Sequence, residues 1–156
     1  MERYYTILFQ FCPRWLSSLG YQVHGLIRPF SQRREAMNPP LHDEVTLRFG
    51  DLSDLGKLLQ ILSEIPIIEE IYHLAEQSHV GVSFQTPLLT SDANALGSLR
   101  LLEAVRILDL GRSTRIYSAT TSELYGTDFP APQTKETPFH PVSPYTVAKQ
   151  FQFWTK

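Results

Sequence analysis

The chain has a single cysteine, no long apolar run and no excess of one charge, and each of these absences excludes a class of protein. Cys12 is the one cysteine in 156 residues, so no internal disulfide can form and a reducing, cytoplasmic setting is expected. No stretch reaches the ~20 consecutive apolar residues of a membrane span. With 14 Lys and Arg against 16 Asp and Glu, the chain has no basic surface for nucleic acid. No Cys and His spacing matches a metal site.

Hydrophobic residues make up 42% of the chain, which is enough apolar surface to fold one globular domain. Segments typical of strands alternate with segments typical of helices. The expected strands cover residues 21–28, 45–49, 67–75 and 114–119. The expected helices cover 13–19, 53–65, 91–110 and the residues from 143 onward, with Ser53 and Ser91 as the capping residues of the second and third. This alternation predicts an α/β fold with a doubly wound parallel sheet.

Polar residues follow the expected strands at their carboxyl ends, where a doubly wound sheet binds ligands. Asp51 follows the strand at 45–49, where its carboxylate suits either an adenine amino group or the start of the next helix. Ser78 follows the strand at 67–75. Thr121 and Glu123 follow the last strand, and in an extended chain their side chains would point to the same side.

Tyr145 and Lys149 are four residues apart in the last expected helix, so their side chains are predicted to be neighbours. An ammonium beside a phenol lowers the pKa of tyrosine from its usual value of about 10 and makes it a usable base. Composition alone gives this spacing by chance roughly 0.2 times, so the pair by itself carries little weight. Its position downstream of Thr121 and Glu123 makes acid–base catalysis the stronger interpretation.

Five segments resemble a known family, and the resemblance extends over residues 20–154. They lie at 50–54, 78–84, 97–106, 121–126 and 137–149. Together they resemble the GDP-mannose 4,6-dehydratase family of the extended short-chain dehydrogenase/reductase group. The Ser-His-Val-Gly-Val-Ser-Phe string at 78–84 and the Thr-Ser-Glu-Leu-Tyr-Gly string at 121–126 favour this family over dTDP-glucose dehydratases and UDP-sugar epimerases.

The resemblance implies a Rossmann-type NAD(P)-binding domain of a hydro-lyase that converts GDP-mannose to GDP-4-keto-6-deoxymannose, with NADP as internal hydride carrier. By the same resemblance, Thr121 binds the 4-oxygen of the sugar and Glu123 is the acid and base at C5 and C6. Tyr145 takes the proton of the 4-hydroxyl, while Lys149 tunes Tyr145 and holds the nicotinamide ribose. The implied cofactor contacts are Arg28, Asp51, Leu52, Leu74, Ala75, Ser78, Tyr145 and Lys149. Members of the family pack helices between subunits, which implies a homo-oligomer.

The sequence departs from the family at both ends, which suggests two parts: a divergent segment, 1–13, and a partial NAD(P)-binding domain, 14–156. Residues 1–13 contain no glycine, so the glycine-rich turn that binds pyrophosphate is missing. Glu76 stands where a small residue is usual, and Pro29 and Leu89 replace an arginine and a tyrosine. We expect the C-terminal substrate domain of the family to be absent from this chain as well.

These departures predict a truncated chain that is weakly active or inactive alone. Two alternatives remain open. One is a non-catalytic Rossmann fragment that binds nucleotide weakly or pairs with a full-length relative. The other is a different nucleotide-sugar dehydratase or epimerase, although Glu123 argues against an epimerase because epimerisation at C4 needs no acid or base at C5.

Overall fold

The structure, a computed structural model, describes residues 3–8, 16, 18–28 and 45–155. The chain falls into two compact units. The first comprises Met1–Ala75 and Arg100–Ala119, and the second comprises Glu76–Leu99 and Thr120–Lys156. The suggested division at residues 13 and 14 follows sequence divergence instead and stays a prediction. Cys12 and Pro29 lie outside the described residues.

Within the described residues, the first unit contains a five-stranded parallel sheet. Its strands are β1 (Arg3–Leu8), β2 (Tyr21–Ile27), β3 (Val45–Phe49), β4 (Glu70–His73) and β5 (Arg115–Ser118). The order across the sheet is β3-β2-β1-β4-β5. β2 and β3 extend the sheet on one side of β1, and β4 and β5 extend it on the other, as in a doubly wound fold. The predicted α/β class is therefore confirmed.

The central strand β1 lies inside the segment that was set apart as divergent, and no strand was expected there. It pairs with β2 on one side and with β4 on the other. The sequence of β1, RYYTIL, is rich in the aromatic and β-branched residues that favour strands. A strand signal was therefore present although residues 1–13 contain no glycine.

The described α-helices number five and differ in several bounds from those expected. They are α1 (Leu55–Ser63), α2 (Val80–Gln85), α3 (Pro87–Ser91), α4 (Gly97–Ile107) and α5 (Pro144–Trp154). A π-helical stretch, Asp92–Leu96, connects α3 to α4, and Ser122–Tyr125 is a 3₁₀ turn. Helical structure begins at Pro87, not at 91, because proline suits the first position of a helix. Ser91 is thus inside helical structure and is not a cap.

The loop between β3 and α1 corrects a second expected boundary. Asp54, not Ser53, caps α1, because its carboxylate accepts a hydrogen bond from the Lys57 N–H at 2.9 Å. Ser53 instead donates its backbone N–H to Asp51 Oδ1 at 2.9 Å. Gly50 is needed for packing in this loop, since a Cβ there would lie 2.9 Å from side-chain carbons of both Ile61 and Leu26.

The core of the first unit consists of apolar side chains from the sheet, from α1 and from α4. Leu26 and Ile71 come from β2 and β4, and Leu58 and Leu62 from α1. From α4, Leu101, Ala104 and Val105 recur at helical spacing on one face. This core supports the strands whose carboxyl ends carry most of the expected cofactor contacts.

In the second unit, Asn94 fixes the start of the segment that leads into α2. Asn94 is completely buried in the π-helical stretch. Its Oδ1 accepts the Gln77 backbone N–H at 2.8 Å, and its Nδ2 donates to the Gln77 carbonyl at 2.9 Å. Two bonds to the backbone of one residue, Gln77, hold the backbone beside Glu76 in place. No helix in the described part of the chain has the length and apolar character needed to cross a bilayer.

Candidate active site

Helix α5 begins with a local sequence that places Tyr145 in its first turn. Ser143 accepts the Thr146 N–H on its hydroxyl at 3.1 Å, and Thr146 Oγ1 accepts the Ser143 N–H at 3.0 Å. This reciprocal capping, with Pro144 at the first helical position, defines where the helix starts. The expected start of the last helix is confirmed, and Tyr145 is held on a rigid element.

The buried face of α5 is unusual because it carries polar side chains. Tyr145, Lys149 and Gln152 are all buried, at helical positions i, i+4 and i+7. Burial of polar groups is costly unless they have partners. The face therefore marks a place where the fold retains polar chemistry instead of apolar packing.

Thr121 and Glu123 lie in the same unit, but not on an extended chain as expected. Thr121 caps the 3₁₀ turn Ser122–Tyr125, and its Oγ1 accepts the Glu123 backbone N–H at 3.2 Å. The expectation that the two side chains point to the same side, which assumed an extended strand, therefore does not apply here. The Glu123 side chain is exposed, whereas Tyr145 is 7% exposed.

The Tyr145 phenol brings these groups together, because Thr121 hydrogen-bonds it and two carboxylates act on it. Burial raises the pKa of Tyr145, the negative charge of Glu76 raises it further, and Glu123 adds to the rise. The hydrogen bond with Thr121 opposes them and lowers the pKa, but the net direction is upward. The expected lowering by Lys149 is therefore wrong for this structure.

Lys149 is engaged by Glu76, a residue that sequence analysis had singled out only as a departure from the family. The Lys149 Nζ and Glu76 Oε1 atoms form an ion pair, with the lysine side chain 0% and the glutamate side chain 8% exposed. Gln152 Nε2 donates to the same Glu76 oxygen at 3.1 Å. Two residues of the polar face of α5 therefore meet one carboxylate.

Most of the expected cofactor contacts lie in the first unit, next to the carboxyl ends of parallel strands. Arg28 follows β2 and is exposed, Asp51 and Leu52 follow β3, and Leu74 and Ala75 follow β4. Asp51 is half-buried, and Leu52 and Ala75 are buried. Because the strands pair in parallel, the carboxyl ends of β2, β3 and β4 lie at one end of the sheet, where a doubly wound fold binds ligands.

Ser78 lies in the second unit with the four expected catalytic residues. It is exposed and directly precedes His79, whose side chain caps α2 by accepting the Val82 N–H at 3.3 Å. Across the part of the chain that the structure describes, no cluster of His, Cys, Asp and Glu side chains could hold a metal ion.

Sequence reasoning missed two polar residues of this site, Gln152 and Asn94. Gln152 could have been found from its spacing, since it is seven residues after Tyr145 and three after Lys149 on one helix face. Asn94 had no such signal, because its partner is the backbone of Gln77, far from it in sequence.

Comparison with known proteins shows strong sequence similarity to one family. A family model described as GDP-mannose 4,6 dehydratase matches residues 10–156. The GDP-mannose 4,6-dehydratase of Sordaria araneosa is 63% identical over 134 residues, which are 86% of this chain and 24% of that protein. That of Vibrio cholerae serotype O1 is 46% identical over 147 residues, covering 90% of this chain and 39% of that protein. The chain thus spans about a quarter to two fifths of the length of these relatives.

Among solved structures, the UDP-glucose 4-epimerase from Bifidobacterium longum in complex with NAD+ and UDP has a similar fold. The match has a TM-score of 0.81 and 23% sequence identity, and it covers 97% of this chain and 47% of the epimerase. This likeness confirms a Rossmann-type α/β fold.

Proposed function

Because the chain belongs to the GDP-mannose 4,6-dehydratase family, we propose that it carries the acid–base residues of that hydro-lyase reaction. The substrate class is a nucleotide sugar, GDP-mannose, and the product is GDP-4-keto-6-deoxymannose. The observation that supports this most is the environment of the Tyr145 phenol, which Thr121 hydrogen-bonds and on which the Glu123 charge acts. Hydroxyl, phenol and carboxylate then act on one sugar.

We assign each residue the role that the family resemblance implies. Tyr145, as phenolate, takes the proton of the 4-hydroxyl while Thr121 hydrogen-bonds the same sugar oxygen. The exposed Glu123 takes the C5 proton and then gives a proton to the hydroxyl that leaves C6 as water. Lys149 is assigned to the nicotinamide ribose and to Tyr145, and it can take these roles only when its ammonium is not paired with Glu76.

When bound, a nicotinamide cofactor accepts a hydride and later returns it, which is redox chemistry that side chains do not supply. Arg28 would hold the 2′-phosphate of NADP, and this supports NADP over NAD. Two observations oppose a good fit to the chain as it stands. Lys149 is already paired with Glu76, and residues 1–13 have no glycine to approach a pyrophosphate. NADP is therefore expected to bind far more weakly than to an intact relative.

The same ion pair favours a second candidate, a non-catalytic Rossmann chain. In that case Tyr145 and Thr121 are retained from the family, but the dinucleotide does not bind. For both candidates we place the chain in the cytoplasm, as its single cysteine suggests, and in a homo-oligomer, as the resemblance implies.

A graft tests the proposed activity separately from Glu76. Residues 120–154 carry Thr121, Glu123, Tyr145 and Lys149, and they replace the matching segment of the intact Vibrio cholerae relative. The graft is expected to convert GDP-mannose to the keto-deoxy sugar, measured by chromatography of the products. Tyr145→Phe in the graft should lower the rate by about 10²–10⁴-fold, as expected for a general base.

Glu123→Gln in the same graft should stop loss of water from C6. Glu136→Gln is the matched control, because Glu136 is an exposed carboxylate of the same segment. It should leave the rate unchanged. An unchanged rate in the Glu123→Gln graft would mean that this carboxylate has no role at C5 and C6, and the proposed function would be wrong.

A further inference from the structure

Glu76 places a negative charge beside the ammonium of Lys149 on the polar face of α5. Among the described residues, Lys149 is the one lysine that is buried. The carboxylate follows β4 in the sequence, and its backbone is held by the Asn94 bonds to the next residue, Gln77. Gln152 donates to the same Oε1 atom at 3.1 Å. The contact is therefore built from several fixed groups on three segments, and it is not a chance approach of two flexible side chains.

A buried ion pair of this kind is hard to open. Both charges have been removed from water, so each stabilises the other strongly and separation leaves one of them buried without a counter-charge. A dinucleotide that needed the Lys149 ammonium would have to open this pair. It would also bring phosphate charge towards a carboxylate, which is repulsive.

We propose that Glu76 is a positioning residue that occupies Lys149 as a built-in counter-ion, and that it keeps the ammonium from a bound dinucleotide and from the Tyr145 phenol. The identity of residue 76 then determines whether this chain binds a dinucleotide productively. This inference rests on the proposed function, since that function assigns Lys149 to the ribose and to Tyr145.

The groups that act on Tyr145 come from two segments. Glu76 precedes α2, Glu123 lies in the 3₁₀ turn, and Thr121 caps that turn. Lys149 shares α5 with Tyr145. Removing the Glu76 charge leaves the Thr121 hydrogen bond and the Glu123 charge in place. The change isolates one carboxylate and the ammonium that it holds.

The experiment compares the full chain with Glu76→Gln, which keeps the shape of the side chain but removes its charge. Phenol ionisation is followed by near-ultraviolet absorbance. The titration curve of Tyr145 is obtained by subtracting the curve of a matched chain that carries Tyr145→Phe. The pKa of Tyr145 is expected to fall, because the Glu76 charge that helps to raise it is removed. NADPH and NADH, titrated separately by fluorescence, should bind about tenfold tighter than to the unmodified chain.

Two further variants separate the mechanism from a simple loss of negative charge. Glu76→Gln combined with Lys149→Met should lose the gain in dinucleotide affinity, because the Lys149 ammonium is no longer present. Glu136→Gln removes an exposed carboxylate of the same unit and should change neither measurement. A folded Glu76→Gln chain with unchanged phenol titration would overturn the proposal, as would a gain in affinity that persists without Lys149.

If Glu76→Gln does not fold, the unmodified chain provides the test. In a sample labelled with ¹⁵N-lysine, the Lys149 Nζ signal is distinguished from that of the exposed Lys135 by slow hydrogen exchange. It should not move when NADPH is added, and a shift on binding would overturn the proposal. The phenol titration needs no dinucleotide, so it reports on Glu76 even where the graft shows that the proposed function is wrong.

Discussion

Lys149 and Glu76 form an ion pair between side chains that are 0% and 8% exposed, and this pair lies on the face of α5 that also carries Tyr145. The face is polar where most helices bury apolar residues. A fold keeps such a face only if each group finds a partner. Here Lys149 and Gln152 share one carboxylate oxygen, and Tyr145 is bonded by Thr121.

This pairing predicts an asymmetric effect on stability. Lys149→Met leaves the Glu76 carboxylate buried without its counter-charge, so the free energy of unfolding should fall by about 3–5 kcal/mol. Combining it with Glu76→Gln removes both charges and should recover most of that loss. Urea denaturation measures both variants.

Lys135→Met is the control for this experiment, because Lys135 is exposed. Its effect should be within about 0.5 kcal/mol of zero, as for surface substitutions in general. A double variant as unstable as Lys149→Met alone would show that the charges are not what holds this face together.

The parallel sheet could be predicted because each strand has its own local signal. Val45–Phe49 matches its expected strand, and Leu101, Ala104 and Val105 of α4 pack on the core. The central β1 was missed because residues 1–13 were interpreted only from the absence of the glycines that a phosphate-binding turn needs. A strand needs only residues that suit a pleated surface, and it does not depend on the turn that follows.

The site was harder to predict because its electrostatics depend on residues distant in sequence. The spacing of Tyr145 and Lys149 correctly places both on one face of α5. It does not reveal that Glu76, 73 residues before Lys149, takes the ammonium. The direction of the Tyr145 pKa depends on that long-range contact, so helical spacing alone predicted the wrong sign.

The hydrogen bond of Tyr72 leads us to expect that the free energy of unfolding falls at alkaline pH. The Tyr72 hydroxyl donates to Glu70 Oε2 at 2.7 Å, and this bond, with burial, raises the pKa of Tyr72 from 10.0 to about 12. As pH rises, the unfolded chain releases this proton first, so the free energy of unfolding falls from about pH 10 and the contribution is gone above about pH 12.

Urea denaturation across this pH range tests the Tyr72 contribution as the difference between the unmodified chain and Tyr72→Phe. The difference should shrink between about pH 10 and pH 12. Glu70→Gln should remove most of the pH dependence of this difference, because Glu70 is the main cause of the shift. A difference that stays constant over the range would contradict the prediction.

Gly126 predicts a strong effect of adding one methyl group. Its φ is +65° and its ψ is −156°, a region that is essentially restricted to glycine. A Cβ at this position would also lie 2.6 Å from the His140 carbonyl oxygen. Gly126→Ala should therefore lower the free energy of unfolding by more than about 2 kcal/mol, combining backbone strain with the clash.

Gly111→Ala is the matched control for Gly126, since a Cβ at Gly111 would have no atom within 4 Å. Its unfolding free energy should change by less than about 0.5 kcal/mol. Equal urea midpoints for the two variants would show that the conformation at Gly126 adapts without cost.

The exposed face of α5 predicts self-association. Val147, Phe151 and Trp154 are 56%, 40% and 69% exposed, and they recur at the i, i+4 and i+7 positions of one helical stripe. An apolar stripe in water is stabilised by a partner surface, and the family resemblance implies that the partner is a second copy of the chain. Light scattering after size-exclusion chromatography should show a species larger than the monomer.

Charged substitutions on this stripe test whether it forms the contact. Val147→Glu combined with Phe151→Glu should shift the chain towards monomer, because association would then bury two carboxylates in an apolar surface. Ile67→Glu is the matched control, since Ile67 is 54% exposed but belongs to the first unit. It should leave the molar mass unchanged. If the double variant kept the mass of the unmodified chain while Ile67→Glu reduced it, the contact would lie on the first unit instead of on α5.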